Sequence, residues 1–202
     1  MENKPQTFIF FGRSGSGKGT QAKLLKELLE GKNRKVIYLE TGEKFRDFIQ
    51  KDNYTANLTK GVMKDGGLLP PFLPVWIWAD SLIEQFTGVE DLILDGLARR
   101  ASEAPVLDSA ISFYKRERPY VVSINVSRNW SKERMMSRGR SDDTEEYIES
   151  RLDWYDRDVV PAIEYFRNHS GYHFIDVHGE QSIEKVHEEL IKKISILKGD
   201  NN

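Results

Sequence analysis

The chain has 202 residues, a formal net charge of −2 and no cysteine. That length allows one ordinary α/β domain with a substantial core and a small insertion. The near-zero charge argues against a global pull toward nucleic acid or an acidic membrane, and the missing thiols exclude disulfides and cysteine-based zinc sites. The polar N-terminus has no basic stretch leading into a long apolar segment, and no apolar run approaches a membrane span. Neither nucleic acid nor membrane is expected as a partner, and the composition is compatible with the cytoplasm.

The first element is the apolar run Thr7-Phe8-Ile9-Phe10-Phe11, read as a buried strand. It enters Gly12-Arg13-Ser14-Gly15-Ser16-Gly17-Lys18-Gly19-Thr20, which fits the phosphate-binding pattern G-x-x-x-x-G-K. Behind it Ala22, Leu24, Leu25, Leu28 and Leu29 recur at helical spacing. Strand, glycine turn and helix N-terminus together make an anion site. Backbone N–H groups point into the turn, the helix dipole adds positive potential, and glycines allow close approach of phosphate. Lys18 is expected to reach the outer phosphates. The Ser or Thr that usually follows the lysine as a magnesium ligand is replaced by Gly19. Arg13 either touches the phosphates or points to solvent.

Further strand-like runs at 36–39, 91–94, 120–126 and 172–176 alternate with helical patterns, which implies a parallel sheet covered on both faces. Residues 41–69 break the alternation with two short helical patterns, read as an insertion crossing the mouth of the sheet. The prolines of Pro70-Pro71-Phe72-Leu73-Pro74 suit a helix start. A long helical pattern over 142–167 should be kinked by Pro161. A last helix follows Ser182 as N-cap, and residues 198–202 should fray.

Polar residues at the C-terminal ends of parallel strands are the natural carriers of chemistry. Asp95 ends the apolar run Leu92-Ile93-Leu94 and suits a carboxylate holding magnesium through water; alternatively it is a turn residue before Gly96. Arg46, Arg99, Arg100, Arg134, Arg138, Arg140 and Arg151 fall beyond strand ends, where guanidinium groups suit phosphate and developing charge. The histidines form no metal site, and Trp76, Trp78 and Trp154 read as packing residues.

The run Gly17-Lys18-Gly19-Thr20-Gln21 resembles the adenylate kinase family of nucleoside monophosphate kinases, and the resemblance extends over nearly the whole chain. Thr41-Gly42-Glu43-Lys44-Phe45-Arg46 looks like the family's T-G-[DE]-x-x-R segment, which binds the monophosphate. Asp95-Gly96-Leu97-Ala98-Arg99 looks like D-G-F-P-R, whose arginine grips the acceptor phosphate. Arg138-Gly139-Arg140-Ser141-Asp142-Asp143, with Arg151 further on, looks like the lid segment. Arg134 matches the arginine packed on the ATP base, and Val177-His178-Gly179 a loop facing the same base.

This resemblance implies a P-loop NTPase-like core with a five-stranded parallel sheet covered by helices, in one domain over 1–202. It adds a small helical acceptor-binding insertion at 41–69 and a minimal lid at 137–143. It implies reversible transfer of the ATP γ-phosphoryl to a nucleoside monophosphate, most closely AMP, with Mg2+ as cofactor. UMP/CMP-directed, guanine-directed and non-catalytic nucleotide-binding readings are the alternatives. ATP would be held by Gly12, Gly15, Ser16, Gly17, Lys18, Gly19, Thr20, Arg134 and Gly179. The monophosphate would be held by Thr41, Gly42, Arg46, Leu69, Gly96, Arg99, Glu103, Arg140 and Arg151. Catalysis would rest on Lys18, Asp95, Arg99, Arg138, Arg140 and Arg151. Small-molecule nucleotides are the expected partners of a monomer.

Three positions depart from the family pattern besides the phosphate loop. The lid is cut to Gly139 between Arg138 and Arg140. Ala98 stands where the family has proline. Glu103 stands where adenylate kinases have a glutamine reading adenine. An ionised carboxylate only accepts hydrogen bonds, so it suits guanine N–H groups better than adenine N1. Glu103 is alternatively a helix N-terminal charge favoured by the dipole.

Overall fold

The structure is a computed structural model that describes residues 4–139 and 144–199. Five strands form one sheet: β1 (Thr7–Gly12), β2 (Val36–Glu40), β3 (Asp91–Asp95), β4 (Tyr120–Asn125) and β5 (His173–His178). Their order is β2-β3-β1-β4-β5 and every pairing is parallel. The expected five-stranded parallel sheet is therefore present.

The strands are apolar on both faces because helices cover both. Alternate residues of β1 serve opposite cores. Phe8 and Phe10 pack with Ala22, Leu25 and Leu29 of α1 (Lys18–Glu30) and with Val186, Leu190 and Ile194 of α9 (Ile183–Gly199). Ile9 and Phe11 pack on the other side against α4 (Phe72–Gln85), α5 (Ala104–Phe113) and α8 (Val160–Arg167). Each large side chain buried this way contributes about 1.5–3 kcal/mol relative to exposure.

Central β1 lies between β3 and β4, so the strand order reverses beside it and opens a crevice past its C-terminal end. Residues 41–69 hang over that crevice as α2 (Thr41–Phe48) and α3 (Tyr54–Lys64), with no strand. Phe45, Phe48, Ala56 and Leu69 share a separate small core with Leu73 and Ile77 of α4. Pro71 is the N-cap of α4, so these prolines start a helix as read. On the far side α6 (Arg128–Arg138) and α7 (Glu145–Trp154) meet through Met135, Ile148 and Leu152.

The single helix expected over 142–167 with a kink at Pro161 is corrected. Within the described part α7 ends at Trp154, a π-helical turn spans Tyr155–Val159, and α8 begins at Val160. Proline has no N–H, and its ring would strike the carbonyl four residues back. The wide turn, in which the Val160 N–H reaches the Tyr155 carbonyl, absorbs the misfit. Pro161 then falls in the first turn of α8, where a missing donor costs little. Ser182 caps α9 through Lys185 N at 3.4 Å. That helix continues to Gly199, so residues 198 and 199 are helical, and residues 200–202 lie outside the described residues. Among the described residues no helix is long and apolar enough to cross a membrane.

Candidate functional site

The phosphate loop closes tightly on β4. A Cβ on Gly12 would lie 2.6 Å from Ser16 Oγ and 2.9 Å from the Ile124 carbonyl, so only glycine fits there. The Ser16 N–H returns to the Arg13 carbonyl at 3.0 Å. No side chain caps the start of α1 at Gly17, so the positive end of the helix faces the loop interior.

A cavity of about 740 Å³ opens over this loop. Gly15, Ser16, Gly17, Lys18, Gly19 and Thr20 line its floor, with Asp95 behind them. Thr41, Gly42, Arg46, Leu69, Arg99 and Glu103 line one side, and Arg134, Arg138, Arg151 and Gly179 the other. Gly12 and Gly96 do not line it but support it. The Gly96 carbonyl accepts Arg99 Nε at 2.9 Å and Thr41 Oγ1 at 2.8 Å. Arg140, Ser141, Asp142 and Asp143 lie outside the described residues.

Asp95 is buried at the end of β3, and the Lys18 ammonium stands 3.4 Å from its Oδ1. Tyr38 Oη lies 3.1 Å from Asp95 Oδ2 and 3.3 Å from Glu40 Oε2. Burial, and then the charges of Asp95 and Glu40, push the Tyr38 phenol far above its ordinary pKa. A Cβ on Gly19 would sit 3.2 Å from Asp95 Oδ2. A hydroxyl residue there would crowd the carboxylate, which accounts for glycine directly after the lysine.

On the acceptor side Arg46 Nη2 donates to Glu40 Oε1 at 3.1 Å. Burial alone would raise the Glu40 carboxyl, but the Arg46 hydrogen bond and the Lys18 charge outweigh it and hold it low. Arg46 Nη1 and Arg99 Nη2 converge over Gly42, 3.3 and 3.9 Å from where its Cβ would be. Ala98 has φ +52°, a left-handed value that proline cannot adopt. The departure from the family's proline thus changes the backbone just before Arg99. Glu103 is 2% exposed, and its Oε2 accepts the Arg99 N–H at 2.8 Å. It occupies the N-cap of α5 but its side chain makes no cap bond; it ties down the Arg99 loop instead. Burial pushes its carboxyl up.

On the other side the Arg134 guanidinium lies 4.7 Å over the Trp130 ring. A Cβ on Gly179 would lie 2.6 Å from Val126 Cγ1, so this loop also demands glycine.

Several readings are corrected. Arg13 lines the phosphate cavity, but its guanidinium is engaged within the protein rather than directed to open solvent. It pairs with Asp156, donates Nε to the Val126 carbonyl at 3.3 Å, and covers the Tyr155 ring. Arg100 turns away from Arg99 to pair with Asp158 at 3.2 Å. Trp76 and Trp78 are packing residues as expected: Trp78 is buried, and Trp76, though 42% exposed, packs edge-on against Phe48. Trp154 does pack, and its Nε1 also donates to the Gly66 carbonyl at 2.9 Å in the cavity wall. Tyr38, Glu40 and Trp130 were not legible as site residues. The one available signal is that Glu40 directly precedes Thr41-Gly42, with Tyr38 two residues back on the same strand face.

A parallel sheet with a phosphate loop after its central strand, and an arginine-walled cavity at the strand ends, defines a phosphate-loop nucleotide-binding protein. The adenylate kinase family model matches residues 10–171. The chain is 30% identical over 195 residues to the adenylate kinase of Oenococcus oeni, covering 95% of this chain and 99% of that protein. It is 32% identical over 185 residues to the adenylate kinase of Corynebacterium aurimucosum, covering 92% and 97%. The chain belongs to the adenylate kinase family. It is an enzyme of the nucleoside monophosphate kinase class, with ATP as the phosphoryl donor.

Proposed function

We propose that this enzyme transfers the γ-phosphoryl group of magnesium-bound ATP to AMP, reversibly, giving two ADP. The observation that carries the reading is one cavity with Lys18 on its floor and the guanidinium groups of Arg46 and Arg99 converging over Gly42. The loop N–H groups and Lys18 would take the ATP phosphates, with its base between Arg134 and the Gly179 loop. Arg46 and Arg99 would grip the acceptor phosphate, which is mostly dianionic at pH 7 and so needs no general base. Lys18, Arg138 and Arg151, with Arg140 from the segment between α6 and α7, would neutralise charge moving between the phosphates.

Asp95 Oδ1 is buried and accepts no hydrogen bond, so it suits a water of hydrated magnesium. Among the described residues no group of three acidic or histidine side chains could hold a metal alone. Phosphate oxygens and water would therefore supply most ligands, and the ion would add charge neutralisation. Residues 41–69 and 137–143, as acceptor insertion and short lid of one domain, would exclude water as a competing acceptor. We take the enzyme to act as a cytoplasmic monomer, as the family resemblance implies.

The test is a coupled assay of ADP formation with AMP, GMP, UMP and CMP. AMP should give the highest kcat/KM. Preference for GMP, UMP or CMP would reassign the acceptor, and no turnover with any would leave a nucleotide-binding module.

A further inference from the structure

Two side chains outside every motif stand between the groups assigned to the two phosphates. Tyr38 and Glu40 leave the same face of β2, and Glu40 sits directly across from Asp95 in the β2–β3 register. The contacts form an unbroken line. Lys18 Nζ is 3.4 Å from Asp95 Oδ1, and Asp95 Oδ2 is 3.1 Å from Tyr38 Oη. Tyr38 Oη is 3.3 Å from Glu40 Oε2, and Glu40 Oε1 is 3.1 Å from Arg46 Nη2.

Each carboxylate in this line has its own cation, and the phenol lies between them. Glu40 could in principle be a rival anion that blocks Arg46. The geometry argues otherwise. Glu40 Oε1 hydrogen-bonds Nη2, while Nη1 stands nearest to where a Gly42 Cβ would be, at 3.3 Å, with Glu40 Oε1 at 3.5 Å and Arg99 Nη2 at 3.9 Å from the same point. One end of the guanidinium is anchored and the other is presented. A long, 46% exposed arginine side chain would otherwise sample many rotamers, and ordering it beforehand lowers the cost of binding.

We propose that Glu40, steadied by Tyr38, is a positioning residue that aims Arg46 at the acceptor phosphate and ties the acceptor site to Asp95. This rests on the two-site reading above.

The test is calorimetric titration of AMP, and separately of a non-hydrolysable ATP analogue, on the full-length protein. Turnover is not needed, so its outcome is separate from that of the coupled assay. Glu40→Ala should weaken AMP about tenfold and the ATP analogue less than twofold. Glu40→Gln keeps an oxygen acceptor for Arg46 and should recover most of the loss. Tyr38→Phe should weaken AMP about threefold, and Tyr38→Phe with Glu40→Ala no more than Glu40→Ala alone, because Tyr38 acts through Glu40. Unchanged or tighter AMP binding by Glu40→Ala would overturn the proposal and make Glu40 a competing charge. Equal losses for AMP and the analogue would reduce it to general wall support. Additive losses in the double variant would remove Tyr38 from the scheme. A wild-type protein that binds no AMP would overturn the proposal and the acceptor assignment together.

Discussion

Arg13 in the phosphate loop pairs with Asp156 in the π-helical turn, 143 positions further along the chain. Its guanidinium also lies 4.4 Å over the Tyr155 ring. Asp156 accepts a second arginine, Arg128 of α6, at 2.8 Å. The turn that accommodates Pro161 therefore also carries the two residues that hold the phosphate loop against the C-terminal helices.

Arg13→Ala should accordingly destabilise the fold by about 1–2 kcal/mol, allowing for the partial exposure of the pair. It should raise the KM for ATP several-fold and leave that for the monophosphate unchanged. The stability effect should depend on pH. Burial would raise the Asp156 carboxyl, but hydrogen bonds from Arg13 and Arg128 outweigh it and hold it below the usual range. A depressed carboxylate stabilises the fold above its unfolded pKa and loses that contribution as pH falls through the folded one. The gap in melting temperature between wild type and variant should therefore narrow in acid. A gap independent of pH would assign the effect to stacking on Tyr155.

Ala98 makes a sharper prediction about the acceptor side. Its φ of +52° is closed to proline, whose ring fixes φ near −65°. Ala98→Pro, which restores the family pattern, should cost about 3 kcal/mol or more here and raise the KM for AMP at least tenfold. Ala98→Gly, compatible with the left-handed turn, should stay within about 1 kcal/mol of wild type. Denaturant unfolding of both variants checks this. A well-folded Ala98→Pro protein with normal AMP kinetics would show that the turn is not required.

Periodicity explains what was legible. The apolar runs of β1, β3 and β4 are short and bounded, and the phosphate loop sits between a strand and a helix, so fold and floor of the site follow from local pattern. Partners distant in sequence do not. Nothing near Arg13 announces Asp156, and Arg99 and Arg100 look alike until the backbone sends one to Gly96 and the other to Asp158. Pro161 signals a disruption, but whether the helix kinks or widens depends on the packing of Tyr155 and Val159 in the core. Glu103 reads as a cap or a base contact because its actual partner, the Arg99 N–H, appears only once the left-handed turn at Ala98 is known.

Lys18→Met should reduce kcat on the order of 10²–10³-fold or more, since it removes a charge placed where negative charge moves. The substitution also strips the cation from buried Asp95, so the melting temperature should fall while the fold persists. Circular dichroism and the coupled assay separate the two effects. Near-normal turnover would show that the loop is not the donor site.

Glu103→Gln probes stability and base choice in one protein. Burial raises the Glu103 carboxyl; the Arg99 N–H bond and the Arg99 and Arg100 charges pull the other way without cancelling it. A raised carboxyl favours the fold fully below its unfolded pKa of about 4.5, and that advantage is lost as pH rises through the folded value. At neutral pH the wild type thus carries the cost of burying an ionisable carboxyl. Glutamine removes it while keeping an oxygen for the Arg99 N–H. The variant should melt higher than wild type at pH 7, with the gain vanishing toward pH 4. Glutamine also offers a donor that the carboxylate lacks. If the side chain reaches the acceptor base, kcat/KM for AMP relative to GMP should rise about tenfold, while the KM for ATP stays constant. A stability gain without any change in base preference would confine Glu103 to fastening the Arg99 loop, and base selection would then belong to the wall formed by Met63, Gly67 and Leu69.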